Sequence, residues 1–388
     1  MYLRASLATG ILLLCSLVSV ADISDTPGPA LDHPAINYNY APVHDPVALL
    51  DPSKLKFDGP SGYLHSVLEA LHIPMESQIA VFSKTSLQSP LIEPSNPRTI
   101  FFNDSVAVGW MKGGFIEIAS LDPRQGVQFY TLDQRPYGPP RLERGRNCLR
   151  CHVGDVTLGV AGMVVRSTYT AADGSPMLIY GGSVVDHRTP VEDRWGGWFV
   201  TGAPATVHHL GNAVIGPQGD PRAMELLPSK INSDVAALLV FDHQMHMINL
   251  ITRIGWDTRA GINQTLAESA REFVDYLLFV DEAPVRGSLT GRFASSFGKN
   301  SLRDSKGRSL YDLDLQTRLL RYPCSYMIYS EAFDALPAEA KNAIYKRMWQ
   351  VLSGAEKDKK YVRLSVADRR AVIEILRETK KDFAAVVN

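Results

Sequence analysis

The chain has 388 residues, of which 45% are apolar and 21% charged, and its formal charge is -1. That composition fits an ordinary globular protein of about two domains. The near-zero charge removes the electrostatic case for nucleic acid or an anionic membrane surface as partner.

Residues 1–21 read as an export signal. Arg4 precedes an apolar run from Ala5 to Val20, and Ser19-Val20-Ala21 supplies a small-x-small cleavage pattern before Asp22. This predicts a periplasmic protein beginning near Asp22 that is not integral to the membrane once the signal is cleaved. Cys15 leaves with the signal, and the remaining Cys148, Cys151 and Cys324 are an odd number, which argues against a disulfide framework in an oxidising space.

Residues 22–62 carry Pro27, Pro29, Pro34, Pro42, Pro46, Pro52 and Pro60, which predict an extended arm laid over the surface. Residues 63–230 form a β-rich region of short runs split by turn residues: "IAVFS", "SVAVGWM", "FIEIAS", "GVQFYTL", "GMVVRSTY", "PMLIYGGSVV" and "WGGWFVTG". Residues 231–388 change to helical periodicity. Asp234 caps a helix through Trp256 with the stripe Ala236, Val240, His243, Met247, Ile251 and Ile254. Further helices are predicted over 265–279, 313–320, 338–352 and 366–380. The fold class is therefore α+β, an antiparallel β-rich region followed by a helical C-terminal region.

Between two of the β runs lies "RGRNCLRCHVGD", residues 145–156. A C-x-x-C pair can bind zinc, exchange disulfides, or add to the two vinyl groups of haem. Only the last use also needs a histidine directly after the second cysteine, to ligate iron. A zinc site needs four ligands, and outside the motif the mature chain offers Cys324 and scattered histidines. No βαβ pattern surrounds the pair as a thioredoxin-like motif would require.

The motif resembles that of c-type cytochromes. The wider chain is similar to a group of exported bacterial proteins with a single haem-c motif, through "FNDSVAVGWMKGGFIEIASLDPRQGVQFYTLDQ", "RNCLRCHVG", "VVDHRTPVEDRWGGWFVTG", "LLVFDHQMHMINLITR" and "LLRYPCSYMIYSEAFDALP". The resemblance implies one covalent haem c on Cys148 and Cys151, with His152 as proximal ligand. It names no substrate.

The ligand on the second face of the iron decides what the haem can do. His243 is the first candidate, because an imidazole in an apolar stripe loses water on folding and coordination would compensate. Met247, one turn along, and His209 are the alternatives. His208 reads as exposed, His187 as a turn residue paired with Asp186 or Glu192, and His33, His44, His65 and His72 as surface residues. Arg141, Arg144, Arg146 and Arg150 crowd the motif, and Arg146 and Arg150 are candidates for the haem propionates. Trp195 and Trp198 read as strand packing and Cys324 as an inert buried thiol.

No phosphate loop, G-x-S-x-G elbow or H-E-x-x-H zinc motif is present. The expected function is periplasmic electron transfer with an unidentified redox partner protein. The alternatives are a haem-based sensor or ligand-binding module, or a redox enzyme subunit of peroxidase-like type.

Overall fold

The computed structural model describes residues 23, 26–138, 140–216, 224–225 and 231–387. The predicted signal segment 1–21 lies outside the described residues.

The fold is α+β. Strands β1 (Ile79–Val81), β2 (Arg98–Phe102), β3 (Val106–Trp110), β4 (Ile116–Asp122), β5 (Gly126–Leu132) and β6 (Leu142–Arg144) follow one another as an antiparallel meander. After the short hairpin of β7 (Arg166–Thr168) and β8 (Gly182–Val184), β9 (Trp198–Phe199) closes the main sheet beside β1, in the order β6-β5-β4-β3-β2-β1-β9.

Strand alternation gives this sheet two apolar faces. Phe101, Val106, Val108, Ile116, Ile118, Tyr130 and Leu132 meet α1 (Leu64–Ala70) and the arm residues Val47 and Leu55. On the other face Ile79, Val81, Phe102, Leu121, Val127 and Phe129 join the cluster built around the long helix α3 (Val235–Arg259).

The arm is not simply laid over the surface. Tyr38, Asp45 and Val47 are buried. Tyr38 donates through Oη to the Val127 carbonyl, and the Tyr130 hydroxyl donates to Asp45 at 2.7 Å. The prolines prevent regular structure, yet the apolar side chains between them still need burial and find it on the sheet.

The motif helix α2 (Leu149–His152) lies between β6 and β7, as expected. Helix α3 (Val235–Arg259) starts where the sequence predicts, with the Asp234 carboxylate accepting from the amides of Ala236 and Ala237. It is buried around nearly its whole circumference, between the sheet and the later helices α4 (Leu266–Leu277), α5 (Arg292–Ser296), α6 (Glu331–Asp334), α7 (Ala338–Leu352) and α8 (Val366–Thr379). No single stripe therefore identifies its neighbours.

The helix predicted over 313–320 is absent. Asp314 instead accepts from the amides of Gln316 and Thr317, and Leu313 bridges back to Leu320. An Asp side chain competing for backbone amides favours a turn over a helix. Among the described residues no helix is long and apolar enough to cross a membrane.

Candidate functional site

The motif hangs from β5. Gly145 donates its amide to the Phe129 carbonyl at 2.7 Å, a 3-10 turn covers Arg146–Cys148, and α2 follows without a break. At helical pitch, positions i, i+3 and i+4 share one face, and these are Cys148, Cys151 and His152. Leu149 and Val153 pack the opposite side against the cluster of Tyr38, Val160 and Trp256. The helical turn is thus held by its apolar side, with Cys151 exposed and Cys148 half-buried.

His152 has a defined tautomer. Its Nδ1 lies 2.9 Å from the Gly162 carbonyl, which can only accept, so Nδ1 carries the proton and Nε2 keeps its lone pair. Gly162 returns a bond from its own amide to the His152 carbonyl at 3.0 Å. The loop between them is closed further by the Thr157 hydroxyl, which donates to Val160 O. The Phe129 ring packs against the imidazole at 4.6 Å. Burial holds the pKa of His152 below the ordinary imidazole value, with the Gly162 contact opposing it, so the ring stays neutral. Burial likewise pushes the Cys148 thiol up.

The loop is pinned to α3 by Arg253, which donates to the Leu158 carbonyl at 2.7 Å, and by Asn249. Asn249 accepts from the Met163 amide at 2.8 Å and donates to the Met163 carbonyl at 2.7 Å. A Cβ on Gly162 would lie 2.2 Å from Asn249 Oδ1, so only glycine fits there. Sequence reading missed Phe129, Gly162 and Asn249. The available signal was Asn249 itself, an amide inside an apolar helix, which must bond something.

The structure engages both nitrogens of His243, the expected axial ligand, with partners other than the motif. Its Nδ1 is 2.7 Å from His187 Nδ1 and its Nε2 is 2.7 Å from Ser325 Oγ. Its ring stacks on Tyr276 and Phe279. His243 and Asn249 are six residues apart on α3, about 240° around the axis, so they face different neighbours. The cost of burying the imidazole is met by hydrogen bonds instead of iron. Burial pushes the pKa of His243 down to about 3.

His187 lies in the turn closed by the Thr189 amide and the Asp186 carbonyl, as expected, but its Nδ1 meets His243 and not an acid. It is buried, stacked on Tyr276, and held well below the ordinary imidazole pKa by burial. Met247 is buried in the main core. His209 sits with its ring 5.6 Å from the Trp195 ring. His208, His44, His65 and His72 are exposed. Arg144 is committed to the Tyr38 carbonyl at 2.7 Å. Arg146 and Arg150 are exposed at the motif. Trp195, Trp198 and Cys324 are buried, and Trp195 donates to Asp242 at 3.0 Å.

Among the described residues no three His, Cys, Asp or Glu side chains form a group that could hold a metal ion. Comparison with protein-family models, curated proteins and solved structures gave no match.

Proposed function

We propose that the chain is a c-type haem protein of periplasmic electron transfer, with one haem joined through thioethers to Cys148 and Cys151 and ligated by His152. The observation that carries this reading is the disposition of the three side chains. Two thiols and an imidazole share one helical face, burial keeps the imidazole neutral, and the Gly162 carbonyl takes the Nδ1–H so that Nε2 stays unprotonated. Hydrogen bonding of the second nitrogen is how proteins orient a metal-ligating histidine. Bound haem would supply a one-electron couple. The residues fit that group, whereas a zinc site would need further ligands.

The polypeptide's own contribution is orientation and access. Phe129 and the 152–163 loop fix the imidazole plane, and Asn249 fixes the loop. Cys151, Arg146 and Arg150 lie at the surface, so the attached edge of the cofactor would face solvent and a redox partner. A second reading, reversible binding of a gas or peroxide, is favoured by one observation. Both nitrogens of His243, the expected ligand from α3, are engaged within the helical core.

Optical titration of the purified protein separates the two. Electron transfer predicts haem bands that reduce reversibly in a one-electron step and do not respond to carbon monoxide. A ferrous spectrum that shifts at once under carbon monoxide replaces it with the ligand-binding reading. A protein without haem bands, from a host with c-type maturation machinery, overturns both.

A further inference from the structure

The hairpin that follows the motif loop exposes more apolar surface than its position explains. Leu178 is 72% exposed and Ile179 85%, with Tyr180 and Val184 also exposed. Adjacent exposed large apolar side chains mark a surface with an occupant.

The neighbourhood narrows that occupant. Arg166 comes four positions after Gly162, the partner of His152, a span of at most about 14 Å. Arg166 lies directly opposite Val184 in the β7–β8 ladder, so the two side chains share one face. The strand is held at this level by Trp198, whose indole donates to the Arg166 carbonyl at 2.8 Å. The Arg166 side chain is exposed and makes no hydrogen bond or ion pair among the described residues. Arg98, on β2, is by contrast already paired with Glu117 at 2.8 Å. An unpaired guanidinium opposite Val184, on a hairpin that also exposes Leu178 and Ile179, suits a flat apolar molecule with carboxylates on its rim.

We infer that the β7–β8 hairpin is a wall of the haem site, in which Leu178, Ile179, Tyr180 and Val184 cover the macrocycle and Arg166 binds a propionate carboxylate. This rests on the haem assignment above, and extends it to residues outside the C-x-x-C-H motif. Arg166 would share this role with Arg146 and Arg150, the candidates from the sequence.

Hydroxyl-radical footprinting of the haem-loaded protein tests the inference without any substitution, using same-type residues as internal controls. Leu302 is 56% exposed and Ile262 37% exposed. Without a cover, Leu178 and Ile179 should be modified faster than these two. With the haem over them, both should be modified more slowly. Modification in the order of the bare exposures overturns the inference, and so does protection that disappears on dilution, which would make a second copy of the chain the cover.

Arg166→Gln supplies an independent readout. Loss of a cation beside the propionate should lower the reduction potential, because the ferric state carries the additional positive charge, while thioether attachment is unchanged. An unchanged potential removes Arg166 from the site. Haem staining of the same samples keeps the outcomes distinct: unstained protein refutes the haem assignment, whereas stained protein with an exposed hairpin refutes only the wall.

Discussion

Replacing Asn249 with alanine should loosen the motif loop while leaving the motif itself intact. The carboxamide is buried in α3 and satisfies both the amide and the carbonyl of Met163, at 2.8 and 2.7 Å. Alanine leaves both backbone groups without that partner beside an apolar helix. At about 1–3 kcal/mol for each unsatisfied buried group, the loss is about 2–6 kcal/mol. Because Met163 follows Gly162, the acceptor for His152, the loss should be felt first at the imidazole. Urea unfolding should be followed in two signals, far-ultraviolet circular dichroism for the whole chain and haem absorption for the axial ligand. The expected result is a lower midpoint in both, with the haem signal moving further. A loss below about 0.5 kcal/mol, the size of an ordinary surface substitution, would refute the view that Asn249 holds the loop.

Gly162→Ala acts on the same contact from the other side, since its Cβ would stand 2.2 Å from Asn249 Oδ1; a reduced yield of haem-loaded protein is expected, and a wild-type yield counts against the loop geometry. His243→Leu should leave the iron spin state unchanged, because His243 is bonded to His187 and Ser325; a low-spin to high-spin conversion would restore it as an axial ligand. The same variant should flatten the acid dependence of stability. His243 titrates near 3 when folded and near 6.5 when unfolded, so between these values the unfolded chain binds the extra proton. Its contribution is complete above pH 6.5 and declines by about 1.4 kcal/mol per unit as pH falls toward 3, which denaturant midpoints at pH 7 and pH 5 in wild type and variant will measure.

The parts of the fold legible in the sequence are those governed by local rules. Strands β3, β4 and β5 follow from alternation, and the start of α3 from Asp234. The motif's shared face follows from helical spacing alone. Strand β2 starts directly after Pro97 and offers only the short run Ile100, Phe101 and Phe102, while β6, with Glu143 and Arg144 in three residues, has no apolar run. The failure at His243 has a definite cause. In a helix buried on every side, an apolar stripe shows that a residue is inside without showing which layer it meets. The contacts that orient His152 come from Gly162 and, one step out, from Asn249, 97 positions along the chain, so no local pattern could reveal them.

The central claim is covalent attachment of haem at the motif, and the most direct measurement is the intact mass and haem stain of denatured protein expressed with c-type maturation machinery. The account predicts a mass higher by one haem and a stain that survives acid-acetone extraction. Both should persist in Cys324→Ala and disappear in the Cys148→Ala, Cys151→Ala double variant. A wild-type protein with only the mass of its polypeptide, or a double variant that still stains, would contradict it.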